Sequence, residues 1–248
     1  KTKGRFTIPT DESFVEGTKI IAEKWGADAV RDCDGTRLPE NPGQFGKVYN
    51  TYFVVRGDNE WARQHPEEAQ RIFLLSNRNL ATGNTLEIEI MKGFLKDEFD
   101  PDYSYIDLWE VYDRTTGIKH EKWGYNTISG LVTVENAIPF HEYTVTFLAR
   151  VTWHPVQIYN YLTNEWTCEK QLTYDPAFPE TREYVKRHME KWCEENPDTS
   201  VVRFTTFLYQ FTLIFNDLGK ERQVEWFGYA QTANPVLMEE FEKESGIK

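Results

Sequence analysis

Between about residues 70 and 150 the apolar side chains recur at every second position, whereas on either side of this stretch they recur with helical spacing. "RIFLLS" (71–76), "TLEIEIM" (85–91), "YIDLWEVYD" (105–113) and "GLVTVEN" (130–136) alternate or run apolar, separated by turn signals such as "ATGN" and "TTG". That pattern belongs to strands joined by hairpins. A chain with this switch must carry a block of hairpins on the flank of a larger domain with a different architecture. The longest apolar run, "EYTVTFLARVTW" (142–153), fits a strand buried on both faces and reads as a strand of that larger domain. It runs into His154-Pro155, and proline ends strand pairing.

The flanks supply the larger domain. After "IPTDE", Thr10 is the expected N-cap, Asp11 and Glu12 suit the positive end of a helix dipole, and Phe14, Thr18, Ile21, Ala22 and Trp25 make one face. Gly26 is a left-handed stop, and "ADAVR" (27–31) follows as a short strand ending on Arg31. "PETREYVKRHMEKWCEENP" is a helix opened by Pro179 and closed at Asn196-Pro197, with Tyr184, Val185, His188, Met189 and Trp192 on one face. "SVVRFTTF" (200–207) returns as a strand, and "ERQVEWFGYA" (221–230) and "NPVLMEEFEKESG" (234–246) are expected helices. Strand and helix in this alternation imply right-handed crossovers and a parallel sheet. Only three or four parallel strands can be assigned, where a (β/α) barrel needs eight. The expectation is a small open sheet or the front of a longer polypeptide.

Charge and composition narrow the function. A net charge of -12 and a pI near 5.0 argue against a nucleic-acid partner, which selects for Lys and Arg excess. A local pair of arginines can still bind a phosphate inside an acidic protein. There is no run of 18 apolar residues and no apolar signal region in "KTKGRFTIPT", so neither membrane spanning nor secretion is expected. Cys33, Cys168 and Cys193 are odd in number and lack CxxC spacing, which points to a reducing cytoplasm rather than a disulfide or zinc framework. Eight Trp, 13 Tyr and 16 Phe fit an enzyme or a sugar-handling protein.

In αβ architecture the chemistry sits at the carboxyl ends of strands and in the loops that follow. Arg31, the segment His154–Asn160, and Arg203 with Thr205 and Thr206 fall there. Two arginines on neighbouring strand ends make a fork for phosphate or carboxylate; the plainer alternative is that each pairs with one of 40 acidic residues. The stretch 153–166 mixes aromatic faces with amides, as a sugar site does, although Tyr159, Leu162 and Trp166 can equally pack inward. "DCDG" (32–35) lacks the bidentate Glu of a calcium loop and reads as a tight turn. The five histidines have no metal spacing, and His188 reads as a packing residue. No GxSxG, P-loop or GxGxxG occurs.

"GRFTIPTDESF", "WGADAVRDCDGT", "WHPVQIYNYLTNEW" and "VVRFTTFLYQFTLIF" together resemble the N-terminal part of the 1,3-β-galactosyl-N-acetylhexosamine phosphorylase family, glycoside hydrolase family 112. The resemblance implies an α/β fold over residues 1–248, the N-terminal part of a TIM-like (β/α)8 barrel with inserted β-hairpins, the β-rich excursion covering about 70–140. It implies cytoplasmic bacterial enzymes that cleave a β-galactoside (galactosyl-rhamnose, lacto-N-biose or galacto-N-biose) with inorganic phosphate as co-substrate. They release α-galactose 1-phosphate with inversion, without metal or organic cofactor. On this resemblance Arg31 and Arg203 contact phosphate or the sugar beside it. Asn160 lies near the acceptor sugar and the general acid, and Val156 lines the acceptor subsite. The general acid itself is expected outside this chain, and a homodimer of the full-length enzyme is possible. Tyr229 stands where hexosamine-acting relatives have a small Cys, which makes L-rhamnose the leading acceptor, and His154 stands where relatives have Asp. A non-catalytic carbohydrate-binding fragment and a hydrolytic β-galactosidase are the alternatives.

Overall fold

The computed structural model describes residues 6–32, 37–54, 57–94, 99–153, 169–205, 211–216, 219–224 and 234–247. Four strands form a parallel sheet in the order β1 (Thr7–Pro9), β2 (Ala29–Arg31), β3 (Lys47–Phe53) and β14 (Val201–Thr205). The helix α1 (Val15–Trp25) crosses from β1 to β2. Its capping differs from the expectation. The Thr10 N–H is committed to the Arg31 carbonyl at 2.9 Å, which keeps Thr10 in the strand ladder. The cap falls one residue later, on Asp11, whose carboxylate accepts the Ser13 N–H at 2.9 Å and opens a short 3-10 turn that leads into α1. The Thr10 hydroxyl is instead hydrogen-bonded to Thr18 Oγ1 at 2.8 Å. Gly26 closes α1 at φ 68°, as expected.

Ile8, Val30 and Val48 are buried on one face of this sheet, packed by Ile21, Ala22 and Phe45. Phe14 and Trp25, expected on the buried stripe of α1, remain more than half exposed, so the stripe is narrower than its spacing suggests. The helix α2 (Asn59–Gln64) follows β3, and α3 (Pro179–Glu195) covers Tyr52 on the same side as Val48. The Tyr52 hydroxyl lies 2.9 Å from His188 Nδ1, and the Tyr52 ring meets Trp192 edge-on at 5.4 Å. His188 is thus the satisfied packing residue anticipated. Burial, with the Cys193 thiol beside it, pushes the Tyr52 phenol up to about 12, so it keeps its proton at this contact.

β3 starts from a tight approach. Gly46 has φ 107°, and a Cβ there would sit 2.3 Å from the Asp28 carbonyl oxygen. Gly46→Ala is expected to destabilise the protein by about 1–3 kcal/mol through backbone strain alone. A denaturant midpoint equal to the parent's would contradict this.

The hairpin block is antiparallel throughout. Its strands are β4 (Arg71–Leu75), β5 (Asn79–Leu80), β6 (Thr85–Glu89), β7 (Phe99–Pro101), β8 (Glu110–Asp113), β9 (Ile118–His120), β10 (Trp123–Asn126), β11 (Leu131–Glu135), β12 (Glu142–Trp153) and β13 (Gln171–Leu172). β12 is the hub of a seven-stranded sheet and pairs antiparallel with β4, β5, β7, β8 and β13. This corrects the reading of 142–153 as a strand of the parallel frame. The burial on both faces that the apolar run announces is present, but in a strand whose neighbours are antiparallel, and a second sheet, β10-β11-β6, shares its core. Phe147 of β12 shares one core with Ile88, Val132 and Val134 of that second sheet.

Near the C-terminal end, β15 (Phe211–Asn216) and β16 (Gly219–Val224) form a hairpin with Asn216 opposite Gly219. The helix expected over 221–230 is therefore a strand through 224, and 225–230 lie outside the described residues. The Phe/Thr/Ile-rich run 211–216 has strong strand preference, and pairing with it favours a strand over a helix at 219–224. The helix expected over 234–246 is present as α4 (Pro235–Ser245), capped by Asn234 and closed by Gly246 at φ 70°. Among the described residues no helix is long and apolar enough to cross a membrane.

Candidate functional site

Strand alternation sets the site. In the register of the parallel sheet Arg31 lies opposite Tyr49 and Arg203 opposite Thr51. Tyr49 and Thr51 are two residues apart on β3, so they share one face, and both arginines share it with them. The helices α1 and α3 cover the other face. Both arginines stand at or near the carboxyl ends of strands that flank β3, where βα folds place their ligands.

The two guanidinium groups converge on one atom. Arg31 Nη1 donates to the Asp32 carbonyl oxygen at 3.3 Å, and Arg203 Nη1 donates to the same oxygen at 3.2 Å. Arg203 Nη1 also lies 3.8 Å from the Asp32 carboxylate. That carboxylate is buried and accepts twice from Thr51, from the main-chain N–H at 3.1 Å and from the hydroxyl at 2.8 Å. Among the described residues Arg203 uses Nη1 alone, and a third of its side chain is exposed. Arg203 thus pairs with an acidic residue, as the plainer sequence reading expects for it, and its guanidinium shares an acceptor with that of Arg31. Two guanidinium groups held side by side at the carboxyl ends of neighbouring strands are of the type that suits an oxyanion.

Three sequence-predicted site residues, Val156, Asn160 and Tyr229, lie outside the described residues, as does His154. Thr205 ends β14, and Thr206 lies outside the described residues. Asp32 and Thr51 were not singled out from the sequence as site residues. The signal available was only the position of Asp32, directly after the strand-end arginine.

The family model for the lacto-N-biose phosphorylase N-terminal TIM barrel domain matches residues 4–248. The chain belongs to this family. Its parallel strands are therefore part of a TIM barrel domain, and the face that carries Arg31 and Arg203, opposite the helices, corresponds to the inner face of such a barrel. A 1,3-β-galactosyl-N-acetylhexosamine phosphorylase of Lachnoclostridium phytofermentans is 45% identical over 255 residues, covering 100% of this chain and 35% of that protein. The Bifidobacterium longum protein of that name is 43% identical and is covered over 33% of its length by 99% of this chain. A D-galactosyl-β-1→4-L-rhamnose phosphorylase of L. phytofermentans is 36% identical, with 99% of this chain and 35% of that protein aligned. The chain spans about a third of the length of these curated relatives.

Within this family member a second group of ligating atoms comes together. His65, Glu68 and Glu180 bring theirs within 4.8 Å of one another, which the histidine spacing does not reveal. Glu68 is buried, and its Oε2 accepts the Thr181 N–H at 3.1 Å and the Thr181 hydroxyl, satisfying the first turn of α3. His65 stacks on Trp61 with ring centroids 3.8 Å apart. The Glu68 carboxylate is committed to helix capping, and packing holds the His65 ring.

Proposed function

We propose that this chain supplies the phosphate-holding part of an inverting β-galactoside phosphorylase. The observation that carries the reading is the convergence of Arg31 and Arg203 on one carbonyl oxygen at the carboxyl ends of parallel strands. The family membership supports it. Phosphate is already an anionic nucleophile, so the reaction needs no general base. The arginines hold a phosphate oxygen in line with the anomeric carbon. A bond forms from that oxygen to the anomeric carbon as the glycosidic C–O bond breaks. A general acid, which this reading puts outside residues 1–248, protonates the leaving oxygen. The products are α-galactose 1-phosphate and the free acceptor sugar, and no metal or organic cofactor takes part.

Incubating the full-length enzyme with a β-galactoside, with and without inorganic phosphate, tests the reading. Phosphate-dependent release of α-galactose 1-phosphate, followed by NMR, is expected. Release of free galactose without phosphate would make the enzyme a hydrolase. Sugar binding with no turnover would make it a binding protein.

Two observations bear on the acceptor and point apart. Identity is higher to the N-acetylhexosamine-type relatives, 45% and 43%, than to the galactosyl-rhamnose enzyme at 36%. Tyr229, by its bulk, favours an acceptor without an acetamide. We assign the acceptor to the N-acetylhexosamine class, because similarity over the whole chain samples many positions and Tyr229 is one. Comparison of kcat/KM for lacto-N-biose, galacto-N-biose and galactosyl-rhamnose is expected to favour an N-acetylhexosamine substrate by at least about tenfold, the size of one or two pocket contacts. Preference for galactosyl-rhamnose would restore the reading from Tyr229.

A further inference from the structure

The β2–β3 ladder departs from regular pairing where it meets the fork. Arg31 lies opposite Tyr49, and the next rung runs from the Asp32 N–H to the Tyr49 carbonyl at 3.2 Å. In a regular parallel ladder the rung after that takes the Thr51 N–H to the Asp32 carbonyl. Here the Thr51 N–H goes to Asp32 Oδ2 at 3.1 Å instead, and the Thr51 hydroxyl fixes Oδ1 at 2.8 Å. The side chain has replaced its own main chain in the ladder. The carbonyl oxygen so released is the atom on which Arg31 and Arg203 meet.

We infer that Asp32, locked by Thr51, is the positioning residue of the two-arginine phosphate fork. This rests on the phosphate reading of Arg31 and Arg203. Asp32 performs two tasks. Its carbonyl is a shared acceptor that sets the spacing of two like charges from different strands. Its carboxylate, 3.8 Å from Arg203 Nη1, offsets their repulsion before phosphate arrives. Aspartate has the reach for this substitution: its carboxylate stands one methylene from the main chain, close enough to take the rung meant for the carbonyl. An alanine there would return the Thr51 N–H to the carbonyl and remove the acceptor from the arginines. Asp32 acts through the arginines and needs no contact with phosphate itself.

The test is steady-state kinetics of the full-length enzyme with phosphate and galactoside varied separately. Asp32→Ala is expected to raise the KM for phosphate by about tenfold or more, and Thr51→Val by about threefold, with the galactoside KM changed less than about twofold. Thr51→Ser, which keeps the hydroxyl, is expected to bring the phosphate KM back towards the parent value. If Asp32→Ala does not fold, the Thr51 pair carries the decision. Equal rises in both KM values, or Thr51→Ser behaving like Thr51→Val, would make Asp32 a merely structural residue and overturn the inference. An unchanged phosphate KM in all of these variants would also overturn it. Arg203→Ala is the control. If it raises the phosphate KM while the Asp32 and Thr51 variants do not, only the positioning role fails; if it does not, the phosphate reading fails and the inference with it.

Discussion

Arg203→Ala in the full-length enzyme is expected to raise the KM for phosphate by about two orders of magnitude, with a much smaller change in the KM for the galactoside. A hydrogen bond to a charged group contributes about 1.5–3 kcal/mol, and the upper part of that range corresponds to a hundredfold change in affinity. Arg203 is placed to contribute at that level. Its side chain is two-thirds shielded, and its Nη1 is held by the Asp32 carbonyl, which fixes the planar guanidinium beside that of Arg31. Arg203→Lys keeps the charge but loses the planar fork, so an intermediate effect is expected. Kinetics with phosphate varied at saturating galactoside reads both variants. A phosphate KM unchanged in Arg203→Ala would remove Arg203 from this role.

The two arginines were legible in the sequence for a simple reason: each sits at or near the end of a strand bounded by clear signals, "ADAVR" and "SVVRFTT". Their meeting was not legible. It depends on β14 pairing with β3 across the hairpin block, with Arg203 opposite Thr51, and local patterns say nothing about pairing over such separations. The Asp32 substitution in the ladder was still less visible, because it exchanges a side-chain oxygen for a main-chain one without changing the strand pattern. Residues 142–153 show the converse limit. Apolar content correctly gives burial on both faces, but a strand so buried can have antiparallel as well as parallel neighbours. Thr10 and Asp11 both have side chains suited to the cap, and in the fold the Asp11 carboxylate takes it while the Thr10 hydroxyl is engaged with Thr18. The hairpin of β15 and β16 was missed because "ERQV" has no strong preference by itself, and its partner strand supplies one.

In the hairpin block, Asp102→Asn is expected to destabilise the full-length protein by about 3–5 kcal/mol at neutral pH, the cost of leaving a buried charge without its partner. The Arg71 and Asp102 side chains are each 1% exposed and joined by a 2.7 Å bond from Nε to Oδ2. Arg150 donates to the same carboxylate, from Nε at 3.2 Å and Nη2 at 3.1 Å. Arg71 also donates through Nη1 to the Glu67 and Ala69 carbonyls, both at 2.8 Å, so it cannot swing out to water without breaking the lead-in to β4. An amide at position 102 keeps the shape and removes the negative charge, stranding the Arg71 guanidinium in the interior. The pH dependence separates this from a general packing defect. Burial raises the Asp102 pKa, but the hydrogen bonds from Ser104 and Arg71 and the charges of Arg150 and Arg71 outweigh it, holding the carboxyl below its ordinary value. A carboxyl depressed in the folded state contributes its full stability above the unfolded-state value, near 4, and loses it as pH falls through the folded value. The gap between parent and Asp102→Asn in denaturant unfolding is therefore expected to be constant from about pH 7 to 5 and to narrow below about pH 4. A gap below about 1 kcal/mol at pH 7, or one that stays constant into acid, would show that the ion pair, for all its burial, does not hold β4, β7 and β12 together.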